Sequence, residues 1–80
     1  MDIKQQIRDF ITTNFYVADP TALEDSASLL ERGIIDSTGV LEVIGFVEDN
    51  FGIKVEDSEM LPENLDSIDF IAAFVARKQA

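Results

Sequence analysis

The chain has 80 residues, of which 46% are hydrophobic and 28% are charged, a composition typical of one folded domain, here expected over residues 1–80. Sixteen acidic residues against six basic ones give a net charge of −10, which disfavours binding to nucleic acid or anionic lipid and favours partners with basic patches. Because cysteine and histidine are absent, disulfides, thiol nucleophiles and the commonest general base and metal ligand are excluded.

The N-terminal segment has the spacing of an amphipathic helix, and Asp2 can cap its first turn. The residues of its hydrophobic face are Ile3, Ile7, Phe10, Ile11 and Phe15. The segment has no secretory signal, and no apolar run approaches the roughly 20 residues that a membrane span needs. We therefore expect a soluble, cytoplasmic protein without membrane insertion.

A connection without helical periodicity covers residues 16–36, with a break at Asp19-Pro20. A structureless connection of this length is unusual in a small domain, so hydrophobic side chains are expected to fix it against the core. The expected core contacts are Leu29, Leu30, Ile34 and Ile35. A short helical turn through "SLLER" is expected to end at Gly33, because glycine readily adopts positive φ.

Periodicity returns after Asp36 and predicts a second helix that ends at Gly52. Its hydrophobic stripe consists of Val40, Val43, Ile44, Val47 and Phe51. The opposite side carries Thr38, Glu42, Gly45 and Asp49. This pattern predicts an amphipathic helix with an acidic outer face.

The last third of the chain adds one short and one long helix. "GIKV" alternates like a strand but has no partner strand, so it is predicted as extended loop with Ile53 and Val55 pointing inward. "EDSEML" before Pro62 predicts a short third helix. Asp66 or Ser67 is expected to cap a final helix, followed on its core face by Ile68, Ile71, Phe74 and Val75 and near its end by Arg77 and Lys78.

These elements predict an all-α fold, a small four-helix bundle with three main helices, one short helix and a long loop between the first two helices. The stretch "GIIDSTGV" places Ser37 directly after Asp36 at the start of the second helix. One interpretation is capping alone, since Asp36 can accept from first-turn N–H groups. As a nucleophile Ser37 lacks a base, because Lys54 is the one basic residue between Asp36 and Asp69.

Ser37 makes better physical sense as an attachment point, because a hydroxyl in the first turn of a helix is solvent-accessible and a phosphate on it lies near unpaired N–H groups. The run "GIIDSTGVLEVIGFVEDNFGIKV", with its Gly-x-x-Asp-Ser lead and acidic helix, resembles the acyl carrier proteins and the related peptidyl and aminoacyl carriers. The resemblance extends over nearly the whole chain, through the order of helices and loops.

The resemblance implies that Ser37 receives a 4′-phosphopantetheine arm from coenzyme A, transferred by a separate, magnesium-using phosphopantetheinyl transferase, with Asp36 as its motif neighbour. The arm's thiol then holds acyl or aminoacyl cargo as a thioester. It also implies that the chain itself has no catalytic residue and no metal site, and that it acts as a monomer.

In that family the acidic second helix is the recognition element, and Glu42, Glu48 and Asp49 match its acidic positions. The implied partners are an acyl- or aminoacyl-loading ligase and downstream transferases or synthases with basic patches. Leu41 lies off the core stripe and is either a further partner contact or a boundary residue of the core. A solvated face explains the acidic residues as well as partner contact does. Thr38 and Gly45 depart from the pattern of fatty-acid carrier proteins, in which leucine and methionine are usual at these positions. The motif Asp-Ser-x-Gly is instead similar to that of aminoacyl and D-alanyl carriers, and "PENLDSI" is similar to a segment of peptidyl carriers.

Three questions stay open at this point. The valine and isoleucine stripe of the second helix is either packed core or a place where cargo is sheltered. Gly39 and Gly45 inside a helix indicate close approach by a partner or flexibility near the arm. The competing function is an unmodified acidic helical interaction module in which Ser37 is only a helix cap. A calcium-binding loop of the EF-hand type is a weaker interpretation, because it would place Val47 or Ser28 at the position of the first aspartate ligand.

Overall fold

The computed structural model describes residues 2–80. Its α-helices are α1 (Ile3–Asn14), α2 (Ser37–Phe51), α3 (Pro62–Leu65) and α4 (Ile68–Gln79). Short 3₁₀ helices cover Pro20–Ala22 and Asp57–Glu59, and no strand occurs in the described range. The all-α prediction of three main helices, one short helix and a long first loop is confirmed. None of the helices in residues 2–80 combines the length and hydrophobicity needed to cross a membrane.

The core lies where α2 and α4 present their apolar stripes, with α1 packed against them. Val43, Ile44 and Val47 of α2 are buried, while Val40 and Phe51 are only partly buried. The buried residues of α4 are Ile68, Ile71, Ala72, Phe74 and Val75, which confirms the predicted core face. From α1, Ile7 and Ile11 are buried.

Three predicted helix ends are confirmed by their capping contacts. The Asp2 side chain accepts a hydrogen bond from Gln5 N (2.8 Å) and begins α1. Gly52 ends α2 with φ of +67°, a left-handed conformation that glycine adopts without a Cβ penalty. Ser67 is the cap of α4, since its Oγ accepts from Phe70 N (3.0 Å).

The short helix lies later than predicted. The stretch before Pro62 forms only the 3₁₀ helix Asp57–Glu59, and α3 begins at Pro62 itself. Proline suits the first helical position, because its φ is already helical and its missing N–H has no partner there in any case. The restriction on the preceding residue is seen at Leu61, which is extended.

Residues 53–56 form an extended loop without a strand partner, as predicted. Val55 is buried and Ile53 is half-buried. The Val55 N–H donates to Glu48 Oε2 at 2.9 Å, so a side chain of α2 satisfies the backbone of this loop.

The long first loop is held by a turn over residues 29–33 and by Leu23, Leu29 and Ile35, all buried. Arg32 N donates to Ser28 O (3.1 Å) and Gly33 has φ of +70°, so the predicted turn ends at that glycine, but it is a hydrogen-bonded turn and not a helix. The prediction for Leu30 was wrong: its side chain is 39% exposed, because the turn directs Leu29 inward and its neighbour outward.

Charged groups of α1 and α4 fix the same loop. Arg8 Nη2 donates to Leu23 O (2.6 Å) and Asp25 Oδ1 (2.5 Å), while Lys4 Nζ pairs with Asp69 Oδ1 (2.6 Å). The hydrogen bond with Asp69 raises the pKa of the Lys4 ammonium above its ordinary value. These contacts connect α1, the loop and α4.

Asp66 does not cap α4 but holds the loop from the other side. Its carboxylate accepts from Ser28 Oγ (2.6 Å) and Leu30 N (2.9 Å). Its backbone carbonyl accepts from Leu29 N (2.7 Å). The turn over residues 29–33 is therefore fixed beside α3 and the start of α2.

Candidate functional site

Ser37 and Asp36 have different roles at the start of α2. Asp36 is the N-cap: its Oδ1 accepts from Gly39 N (2.8 Å) and its carbonyl accepts from Val40 N (2.9 Å). Ser37 is the first helical residue and is exposed, and its hydroxyl makes no hydrogen bond with any group in residues 2–80. Capping is done by the aspartate, so the serine hydroxyl is available for another role.

A groove of about 250 Å³ opens beside Ser37, between α2, α3 and the turn over residues 29–33. Its lining residues are Leu30, Ser37, Val40, Met60, Leu61, Pro62, Leu65 and Asp66. Both carboxylate oxygens of Asp66 are bonded to the loop, so the groove presents mainly hydrocarbon. Of the α2 stripe only Val40 reaches this groove; Val43, Ile44 and Val47 remain in the packed core.

Sequence reasoning did not assign Leu30, Met60 or Leu61 to the site. Leu30 was expected in the core, and "EDSEML" was expected to be helical. A signal was present in "SLLER", where two adjacent leucines in a single turn cannot both point inward.

The two glycines inside α2 have opposite surroundings. A Cβ on Gly39 would lie 3.0 Å from Phe15 Cε1 and 3.2 Å from Ile35 Cβ, so the close approach comes from the chain itself. A Cβ on Gly45 would meet nothing within 4 Å. Gly39 therefore allows Phe15, which directly follows α1, and Ile35 of the first loop to pack against the start of α2. Gly45 has open space beside it.

The residues predicted to contact partners lie mostly on the outer side of α2. Thr38, Glu42 and Asp49 are exposed, as is Leu41 at 61%. Gly45 lies between them at helical spacing. The remaining predicted contact, Glu48, is half-buried and accepts from Val55 N through one oxygen, so part of its carboxylate serves the fold.

The structure gives no sign of a metal centre in the part of the chain that it describes. No group of three or more carboxylates in residues 2–80 is arranged to hold a metal ion.

Comparison with known proteins places the chain in a family, although no protein-family model matches it. The chain is 31% identical over 75 residues to an acyl carrier protein of Campylobacter hominis, an alignment that covers 94% of this chain and 91% of the relative. It is 22% identical over 78 residues to the probable acyl carrier protein PigG of a Serratia strain, covering 98% of this chain and 90% of that relative. The all-helical fold agrees with these matches. The chain therefore belongs to the acyl carrier protein family and is a carrier protein rather than an enzyme.

Proposed function

We propose that Ser37 is the attachment point of a 4′-phosphopantetheine arm, and that residues 1–80 form one carrier domain that presents acyl or aminoacyl thioesters to partner enzymes. The observation that supports this most is the exposed Ser37 hydroxyl, which has no hydrogen-bond partner in the described chain and directly follows the cap of α2. A serine kept only for capping would bond to the first turn, as Asp36 does.

The surroundings of Ser37 fit such an arm. A phosphate on Oγ lies at the positive end of a 15-residue helix, near first-turn N–H groups that Asp36 does not use. The neighbouring groove, with Leu30, Val40 and Leu61, suits the carbon part of the arm or its cargo. When bound, the arm supplies the thiol that this cysteine-free chain does not encode.

The outer side of α2 supports encounters with several enzymes in turn. Exposed carboxylates at Glu42 and Asp49 attract basic patches, and such steering raises association rates by roughly 10 to 1,000-fold without tight binding. The proposed partners are a phosphopantetheinyl transferase, an acyl- or aminoacyl-loading ligase and downstream transferases or synthases. Thr38, Leu41 and Gly45 add small and apolar residues to this side of α2, from the position after Ser37 to a point about 12 Å from Ser37 along the helix axis.

Attachment is tested by co-expressing the full chain with a phosphopantetheinyl transferase and measuring its intact mass. We expect one arm-sized increase for the natural chain and for Ser58→Ala, which removes another exposed serine hydroxyl outside α2. Ser37→Ala should show no increase while keeping its helical circular dichroism spectrum. An unchanged mass for the natural chain would instead favour an unmodified interaction module.

The recognition surface is tested by reversing charge at Glu42 and Asp49. Together these changes should slow arm attachment at low salt and leave the helical content unchanged. The matched control reverses Glu24 and Asp57, which are also one exposed glutamate and one exposed aspartate. Equal rates for the two double variants would show that the α2 surface has no special role.

A further inference from the structure

A row of phenylalanines connects α1 and α2. The rings of Phe10 and Phe46 are stacked with centroids 4.1 Å apart and an interplanar angle of 14°. Phe15 contacts Phe10 edge-on at 6.0 Å, and Phe51 contacts Phe46 in the same way at 5.8 Å. All these rings are only partly buried, so an aromatic surface is open to solvent between the two helices.

The stacked pair Phe10 and Phe46 forms the floor of a shallow, open groove between α1 and α2. The groove has a volume of about 500 Å³, and Asn14, Glu42, Asp49 and Asn50 complete its lining around Phe10 and Phe46. A hydrogen bond from Asn50 Nδ2 to Gln6 Oε1 (2.8 Å) connects the helices there. The groove shares no residue with the one beside Ser37.

The rim of the groove is negatively charged. Glu42 and Asp49 are exposed and take part in no ion pair within residues 2–80. Asp9 lines the continuation of this groove along α1, which shares Phe10, Asn14, Phe46 and Asn50 with it. No lysine or arginine of the described chain lines either part, so a cation reaching this surface must come from another molecule.

We propose that the α1/α2 groove docks a basic amphipathic segment of a partner protein, with apolar side chains on Phe10 and Phe46 and arginines paired with Glu42 and Asp49. Arginine fits better than lysine, because its flat guanidinium pairs with a carboxylate through two hydrogen bonds while its apolar stem covers the rings.

The proposal rests on the α2 recognition surface of the proposed function, with which it shares Glu42 and Asp49, but it does not depend on attachment at Ser37. Glu42 and Asp49 follow Ser37 by five and twelve residues, which places them about 8 Å and about 18 Å along the α2 axis. A partner held in this groove therefore leaves the first turn of α2 accessible to a catalytic domain.

The test uses the full, unmodified chain and a 14-residue helical peptide with leucines on one face and arginines on the other. Amide chemical shifts should change at Phe10, Asn14, Phe46 and Asn50, with the same result in Ser37→Ala. Replacing the arginines by neutral citrulline should weaken binding roughly tenfold. Glu42→Gln with Asp49→Asn should raise the Kd roughly threefold to tenfold, as expected for two exposed charge pairs.

The matched control is Glu24→Gln with Asp57→Asn, which removes the same charge elsewhere and should change the Kd less than twofold. If both double variants weakened peptide binding equally, binding would depend only on the overall charge of the protein, and the proposal would be overturned. Shift changes centred on Leu30, Val40 and Leu61, or no saturable binding at low salt, would overturn it as well. Because the unmodified protein is used, each of these outcomes is separate from success or failure of arm attachment.

Discussion

Of the two glycines inside α2, replacement by alanine should stabilise the protein at Gly45 but not at Gly39. Both residues occupy helical positions, so alanine gains about 0.5–1 kcal/mol at each by restricting the unfolded chain and favouring the helix. At Gly45 nothing opposes this gain, since the added methyl lies in open space. Gly45→Ala should therefore raise Tm by about 2–8 °C in a domain of this size.

At Gly39 the same methyl would crowd two neighbouring side chains, each of which would have to shift by a few tenths of an ångström. Phe15 Cε1 would lie at 3.0 Å, and Ile35 Cβ at 3.2 Å is fixed directly to the backbone. Overpacking of this kind costs about 1–3 kcal/mol, which exceeds or cancels the helix gain. We expect Gly39→Ala to lower the free energy of unfolding by about 0–2 kcal/mol, so that the two variants differ by about 1–3 kcal/mol.

The assay is urea and thermal unfolding followed by far-UV circular dichroism. Phe15→Leu provides an internal check, because it removes the ring atom nearest to Gly39. The double variant Gly39→Ala with Phe15→Leu should lose less stability than the sum of the single losses. Equal stabilisation by alanine at Gly39 and Gly45 would refute the close packing of α1 against the start of α2.

Two further predictions concern the start of α2 and the end of α4. Asp36→Ala should lower the free energy of unfolding by about 0.5–2 kcal/mol through loss of the cap, whereas Asp36→Asn should retain most of the stability. Ser37→Ala should change the free energy of unfolding by less than about 0.5 kcal/mol. A loss for Ser37→Ala equal to that for Asp36→Ala would show that Ser37 is a capping residue. The hydrogen bond from Lys78 Nζ lowers the pKa of the Glu59 carboxyl. The pair therefore stabilises the fold fully at pH values above an ordinary glutamate pKa of about 4.3, and this stabilisation is lost as the pH falls through the lowered pKa of Glu59. The stability difference between the natural chain and Lys78→Gln should therefore shrink below about pH 4 in urea titrations, and a constant difference would contradict the pairing.

The main helices could be predicted because each one is specified by residues close together in the chain. Ile7 and Ile11 lie about one helical turn apart, and both are buried. Asp2 caps the same helix by accepting a hydrogen bond from the N–H of Gln5, three residues later. Positions decided by competing local rules were less certain. Pro62 disfavours helix before it and favours helix after it, and only packing of Leu65 in the core shows that the second effect prevails here.

The functional residues show the same division between local and tertiary signals. Ser37 was predictable because the Asp-Ser pair and the following stripe lie within one segment. The need for glycine at position 39 was not predictable, because it comes from the close approach of Phe15, which lies 24 positions earlier in the sequence. The sequence around a glycine does not show which distant residue packs against it. Both grooves likewise depend on contacts between distant segments: Asp66 fixes Leu30 beside Ser37, and Phe10 stacks on Phe46. A change at Asp66 or Phe10 should therefore alter a surface next to α2 without touching any residue of the Gly-x-x-Asp-Ser motif.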